Sequence, residues 1–344
     1  MDSFREWYRA PLSGNDVLAG GLLVVLFVLF TVFYGLVMVV LWNASKEIIG
    51  FRYLLSSAVA DILCMVQYGL LDGIAILTKS PLVGVEGRSL LQLYMDWVWF
   101  ACCFHLPLIA WSRLHAIYAP HSFREQKQWM SYAVCGGLAW LLSLVICCAT
   151  HWQPFYVRFY FEPAVYGMLA DDFPKYQKDG HSHMFVGIHI LVVVLPIVFY
   201  SLTIALLIKH RSFVGAVQPE KGSRRQSVET KLIVPCILGT IVFVIGQVAI
   251  TIGTGSGPWA TWTICFLFFL NSALQPVLLV MFSPFLRNGV LTLLSVRRPA
   301  RKSTLFAIPP YRTTIVPLYR ILTSSSLRFS ISTATFHEST LISD

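Results

Sequence analysis

Asp61, Asp96, Arg113, His189, Gln247, Asn271 and Gln275 all stand inside long apolar stretches of a 344-residue chain. A carboxylate or guanidinium in hydrocarbon is costly, so such groups pair with one another, face water or hold a ligand. Their spacing gives two sets. Counted at ~1.5 Å per residue along helices, Asp61 and Asn271 fall near the middle of their stretches, and Gln275 lies one turn beyond Asn271 on the same face. Together they form an economical polar cluster. Asp96, His189 and Gln247 fall ~8–9 Å from one end of theirs, at one level, with Tyr94, Trp97 and Trp99 as aromatic walls. This second set has the chemistry of a ligand cavity open to one side; a structural hydrogen-bonded belt with aromatic anchors is the alternative. Arg113 closes its stretch, ~34 Å along it from Leu90. His181-Ser182-His183 lacks the spacing of a known metal site and is expected to be a solvated loop. No glycine-rich phosphate loop, Ser-His-Asp order or metal motif appears, so neither an enzyme nor a resident cofactor is expected.

The elements that must position these residues are membrane helices. The chain is 56% hydrophobic and only 12% charged, where soluble domains carry about 25% charged residues. Seven stretches are long enough to span ~30 Å of hydrocarbon: Val17–Trp42, Phe51–Leu77, Leu90–Ile117, Trp129–Thr150, Met184–Ile208, Leu232–Thr254 and Trp259–Phe282. The alternating ten-residue segments of a β-barrel are absent. With the N-terminus outside, seven Lys and Arg fall on outer segments and the other nineteen of 26 on inner ones. That asymmetry predicts the N-terminus out and the C-terminus in the cytoplasm. All eight cysteines lie in apolar segments, which favours buried small hydrophobes over a disulfide framework. The expected organisation is a short outer N-terminus over residues 1–16, a seven-helix bundle over 17–295, and a disordered basic, Ser/Thr-rich tail over 296–344.

Several motifs within these helices resemble those of rhodopsin-like G-protein-coupled receptors. Arg113, Ala116, Ile117 and Pro120 match the Asp-Arg-Tyr-x-Ala-Ile-x-x-Pro pattern closing helix three, with Ser112 and Leu114 replacing its aspartate and tyrosine. Ala60-Asp61 resembles the helix-two Leu-x-x-x-Asp motif. Trp140 and Pro196 match the tryptophan of helix four and the proline of helix five. Asn271-Ser272-Ala273-Leu274-Gln275-Pro276-Val277-Leu278-Leu279 resembles the helix-seven Asn-Ser-x-x-Asn-Pro-x-x-Tyr box, and Phe285-Leu286-Arg287 resembles the start of the short amphipathic helix that follows it. There are departures: Leu36 replaces the helix-one asparagine, Arg88 occupies the position of the helix-three cysteine, and Gln247 stands near the helix-six tryptophan. Asp96 lies one residue, and so ~100° of helix, from the place of an amine-pairing aspartate. These losses resemble the divergent serpentine chemosensory receptors of nematodes.

The resemblance implies an all-α seven-helix receptor in the plasma membrane, in the ciliary membrane of sensory neurons for that subgroup. It would bind an extracellular small molecule or peptide and act on a heterotrimeric G protein at the cytoplasmic face. A neuropeptide or hormone receptor of the same fold, and a seven-helix transporter, are the alternatives. Retinal is excluded, because no lysine lies between Gly255 and Leu286 to form a Schiff base. Pro107, in the inner half of the third stretch, is an extra break that the receptor resemblance leaves unexplained. Arg113, Asp61, Asn271, Gln275 and Pro276 are implied to form the activation switch, with Glu229 as the acidic partner of Arg113. Arg224-Arg225-Gln226-Ser227 resembles a basophilic kinase site. Arg297, Arg298, Arg301 and Lys302 would attract anionic lipid, and Thr323–Ser326 would accept phosphates that recruit an arrestin-like partner. Nothing in the chain points to nucleic acid.

Overall fold

A backbone in lipid must satisfy its own hydrogen bonds, and a helix does so within one segment. The computed structural model describes residues 2–152, 154, 156–178, 181–214, 231–252 and 256–295. The seven apolar stretches form α1 (Gly14–Ser45), α2 (Gly50–Leu77), α3 (Arg88–Tyr118), α4 (Gln128–His151), α5 (His181–Val214), α6 (Ile233–Ile252) and α7 (Pro258–Phe282). Most ends lie within a few residues of the apolar runs. At α1, Ser13 Oγ accepts from the Asp16 amide at 3.1 Å while the Asp16 carboxylate accepts from the Ser13 amide at 2.8 Å. Six of the helices are long and apolar enough to cross a bilayer; the described apolar part of α6, Ile233–Ala249, is shorter.

Burial separates inner from outer helices. In α2 and α3, 67% and 61% of the most apolar window is buried, against 22% in α1 and in α5. Val25, Leu29 and Val32 of α1 and Ile190, Ile197 and Leu202 of α5 face outward, as in a bundle whose solvent is lipid. Polar side chains such as Asp61, Gln67, Asp72, His105 and Arg113 are buried inside it. The helices alternate in direction. Lys79, just after α2, meets Asp16 at the start of α1 at 3.4 Å, and Arg113, near the end of α3, meets Gly50 at the start of α2 at 3.0 Å. The bundle thus has an N-terminal face and an opposite face.

Pro107 does not break its helix: α3 runs through it, as α5 runs through Pro196 and α7 through Pro276. Local π-helical turns interrupt α2 at Val66–Leu71 and α4 at Gly136–Leu141 instead. On the opposite face the buried Arg52 joins two connections. Its Nε donates to Ser45 O at 2.8 Å, and its guanidinium reaches Gln126 O at 3.1 Å and Lys46 O at 3.4 Å. The short helix α8 (Pro284–Leu294) follows α7, capped by Ser283, with Leu286 and Val290 buried and Leu291 and Leu294 exposed. That is the amphipathic helix expected from Phe285-Leu286-Arg287.

The N-terminal face carries a device that the all-α expectation did not contain. β1 (Phe159–Glu162) and β2 (Gly167–Ala170) form an antiparallel hairpin in the α4–α5 connection. A helix over Asp2–Arg9 lies beside it, with Tyr8 donating to Glu162 at 2.6 Å. Asp16, fully buried, collects Trp7 Nε1 at 3.1 Å and the Tyr166 hydroxyl at 2.5 Å. Lys79 donates to the carbonyls of Trp7, Ala10 and Pro11 and lies 4.3 Å over the Trp7 ring. Arg88 and Gln92 hold the hairpin to α3. Arg88 rests 4.2 Å over the Tyr160 ring; Gln92 Oε1 accepts from Tyr156 OH at 2.5 Å and from the Phe159 amide at 3.0 Å.

Candidate functional site

At mid-bundle, Asp61 of α2, Asn271 and Gln275 of α7 line one narrow cleft with Ser57, Cys102 and Ser272. The structure brings together the three residues that the sequence grouped. The direct partner of Asp61 is one the sequence did not single out: Tyr34 of α1 donates to Oδ2 at 2.6 Å, and both residues are buried. The α7 amides lie against α6. A Cβ at Gly246 would meet Asn271 Oδ1 at 2.5 Å, and one at Gly239 would meet Gln275 Oε1 at 2.3 Å. Two glycines two turns apart therefore admit two amides one turn apart. Pro276 is buried beside them, and it offers no N–H to the carbonyl four residues back.

Above this cleft, toward the N-terminal face, Trp99 closes the bundle. Its indole N–H donates to His189 Nε2 at 3.1 Å, its ring stacks on Phe243 of α6 at 5.6 Å, and its edge meets Phe268 of α7 at 4.5 Å. His189 Nδ1 contacts Phe185 O at 2.7 Å. A carbonyl only accepts, so Nδ1 carries the proton and Nε2 is left to receive Trp99. Four helices meet at this indole.

The side chains expected to share this level meet different neighbours. Asp96 lies 3.9 Å from His151 at the end of α4, while His189 is held by Trp99 one turn lower on α3. Gln247 is half-buried on α6. None of Asp96, His189 and Gln247 lines the mid-bundle cleft or the cleft beneath the hairpin. Tyr94 donates to Leu63 O at 2.8 Å and Trp97 to Trp140 O at 3.1 Å, so both polar tips serve helix contacts. Trp140 itself donates to Ser56 Oγ at 3.0 Å, and that hydroxyl also meets His105 Nε2 at 2.9 Å. Helices α2, α3 and α4 are tied there by groups of which only Trp140 carried a motif.

At the opposite face Arg113 is 1% exposed, and its guanidinium donates to Gly50 O at 3.0 Å. The hydroxyl of Ser112 turns back to Ile109 O at 2.7 Å, so it does not engage the arginine in the manner of an acidic neighbour. Tyr200 of α5 is buried within electrostatic reach of Arg113. Glu229, the Arg224–Ser227 segment and the tail from residue 296 lie outside the described residues. All eight cysteines are free, seven of them buried and Cys148 partly so.

Seven helices, a buried arginine at the opposite mouth, a mid-bundle carboxylate facing two α7 amides and a short amphipathic eighth helix define a rhodopsin-like seven-transmembrane receptor. The solved structure of squid rhodopsin is similar, with a TM-score of 0.68 over 88% of this chain and 93% of that one, at 14% sequence identity. The family described as serpentine-type seven-transmembrane G-protein-coupled chemoreceptor Srx matches residues 24–280. The chain belongs to that family. A search among curated proteins finds no match.

Proposed function

We propose that this chemoreceptor-family protein reads an extracellular small molecule or peptide at its N-terminal face and promotes nucleotide exchange on a heterotrimeric G protein at the opposite, cytoplasmic face. The observation that carries the reading is the sealed Arg113. A guanidinium shut away at the mouth of a bundle and held by a carbonyl of α2 is a resting contact that an opening of the helices would release. The Asp61–Asn271–Gln275 cleft and the Trp99 junction lie between that mouth and the N-terminal face, and both span several helices, so a shift at one end has a packed route to the other.

In this reading the N-terminus is extracellular, the protein is a multi-pass protein of the plasma membrane, and sensory cilia are the site for a chemosensory member. The basic residues beyond α8 attract anionic lipid, and the tail serines and threonines receive a kinase and an arrestin-like partner. Asp96, His189 and Gln247, with Tyr94 and Trp97, remain the proposed ligand-sensing level. Exchange of nucleotide on co-expressed G proteins, measured against a screen of small odorants and peptides, tests the proposal. Ligand-dependent exchange supports it; saturable uptake without exchange would identify a transporter instead. Alanine at Asp96, His189 or Gln247 should raise the agonist concentration needed about tenfold at normal surface expression, the loss of one well-made polar contact. Three wild-type responses would assign that level a structural role.

A further inference from the structure

We infer that Arg52 is a positioning residue for the nucleotide exchange proposed above: it fastens the short helix Pro120–Glu125, in the α3–α4 connection, to α2, in the place where that helix meets the G protein. The inference rests on the receptor reading and goes beyond it, because Arg52 touches no partner itself. It is buried, in the first turn of α2.

A six-residue helix does not hold itself together, so its place is set by what it is packed on. Two anchors do this. Phe123 is buried, with its ring 5.4 Å from that of His115 on α3. Gln126, where the chain leaves the short helix, is held by α2. The Arg52 guanidinium donates to the Gln126 carbonyl at 3.1 Å, and the Gln126 side-chain amide donates to the Tyr53 hydroxyl at 2.9 Å. The same guanidinium donates to Ser131 Oγ on α4 at 3.4 Å, and to Ser45 O and Lys46 O at the end of α1 at 2.8 and 3.4 Å. One planar fork thus serves acceptors on both connections, with its charge at the carboxyl ends of two helices. A lysine carries the same charge on a single nitrogen and cannot span both sides.

This anchoring leaves Tyr118 outward, 76% exposed, beside His121 and Glu125, which pair at 3.3 Å. They lie at the same face as Arg113, whose guanidinium is held two residues before Arg52, at Gly50 O. The first turn of α2 therefore carries both the switch and the short helix. When Arg113 leaves Gly50, Arg52 still keeps the short helix in place. A partner then meets side chains that are already ordered, and association is spared that part of its entropy cost.

The test uses the purified full-length protein in lipid nanodiscs, without ligand, and has two readouts. One is amide hydrogen exchange over residues 121–127. The other is nucleotide exchange on rising concentrations of purified heterotrimers of the stimulatory, inhibitory and phospholipase-activating classes. Arg52→Lys should speed hydrogen exchange in that segment about tenfold, the loss of one well-made bond. It should also raise the heterotrimer concentration at half-maximal rate about tenfold and leave the maximal rate and the melting temperature unchanged. Tyr118→Ala should raise that concentration as well but keep hydrogen exchange as in wild type, because it removes a contact and not the anchor. Unaltered hydrogen exchange in Arg52→Lys, an unaltered half-maximal concentration, or a joint fall in maximal rate and melting temperature would overturn the positioning role. A wild-type protein that promotes exchange on none of the heterotrimers is instead the failure of the receptor reading, and hydrogen exchange, measured without G protein, reports on the Arg52 anchor separately.

Discussion

Tyr34 donates its hydroxyl to Asp61 at 2.6 Å, and the two side chains are 1% and 7% exposed. Phenylalanine at this position keeps the ring and removes the donor, so Oδ2 of a buried carboxyl group loses its tyrosine. Leaving such an acceptor short costs ~1–3 kcal/mol. Tyr34→Phe should therefore lower the thermal stability of the purified receptor, and the loss should shrink when Asp61 is already Asn. An additive pair would show that the bond contributes nothing of its own. The sequence made Asp61 legible, because a charge in an apolar stretch announces itself. It did not make Tyr34 legible, since a tyrosine in an apolar helix is equally at home as a ring against lipid, and its pairing crosses helices 27 residues apart. The same holds for His151, which shows its relation to Asp96 only once α4 and α3 are packed. Gly239 and Gly246 carried no signal beyond a small residue, and their use depends on the α7 amides opposite.

The hairpin shows what is lost when only apolar length is read. Phe159-Tyr160-Phe161 ahead of Pro163, with Gly167 beyond it, is a strand-like aromatic run bounded by turn residues, yet it sits between two helices whose signals overwhelm it. Arg88 holds the place of the helix-three cysteine in related receptors, and here it and Gln92 fasten the hairpin without a covalent bond. Gln92→Leu removes the acceptor of the Phe159 amide and the Tyr156 hydroxyl. A bond of ~1.4 kcal/mol sets about tenfold in exchange protection, so amide hydrogen exchange in Tyr156–Glu162 should speed up by about that factor while α3 stays protected. Unaltered exchange would mean that strand pairing alone holds the loop. A second consequence concerns pH. Burial, and then the hydrogen bond to Asp16, push the Tyr166 phenol up to about 12. A raised pKa means that the folded state keeps the proton longer, so this contribution is complete below the ordinary tyrosine value of ~10 and fades as pH climbs from there toward about 12. The tyrosinate absorbance that Tyr166→Phe removes should therefore rise late, as pH climbs toward about 12 rather than near ~10.

At the scale of the whole molecule, the order and spacing of weak motifs were more legible than any one of them: the helices carrying Asp61, Arg113, Trp140, Pro196 and Asn271 came out in the positions the resemblance implied, and the family match spans them. The orientation rests on the nineteen-to-seven distribution of Lys and Arg. A C-terminal tag should accordingly be stained only after cells are permeabilised; staining of intact cells would invert the topology. Arg113 is sealed at the opposite face, with one guanidinium nitrogen on Gly50 O. Ser112 beside it has no charge to offer. Glu229, outside the described residues, falls three positions before the sixth apolar stretch and at the place where related receptors carry an acidic partner. A solvated pair there would contribute ~0–1 kcal/mol and a desolvated one more, while ~1.4 kcal/mol changes a two-state ratio tenfold. If the pair holds α3 and α6 together at rest, Glu229→Gln should raise ligand-free nucleotide exchange severalfold, because only the resting state loses a contact. Arg113→Ala should instead lose exchange with or without ligand, because it removes the group that the G protein would meet once the mouth opens. Both are measured as basal exchange at matched surface expression. An unchanged Glu229→Gln value, with Arg113→Ala still inactive, would leave Arg113 as a coupling residue held at rest by the α2 carbonyl and assign Glu229 no part in restraining the receptor.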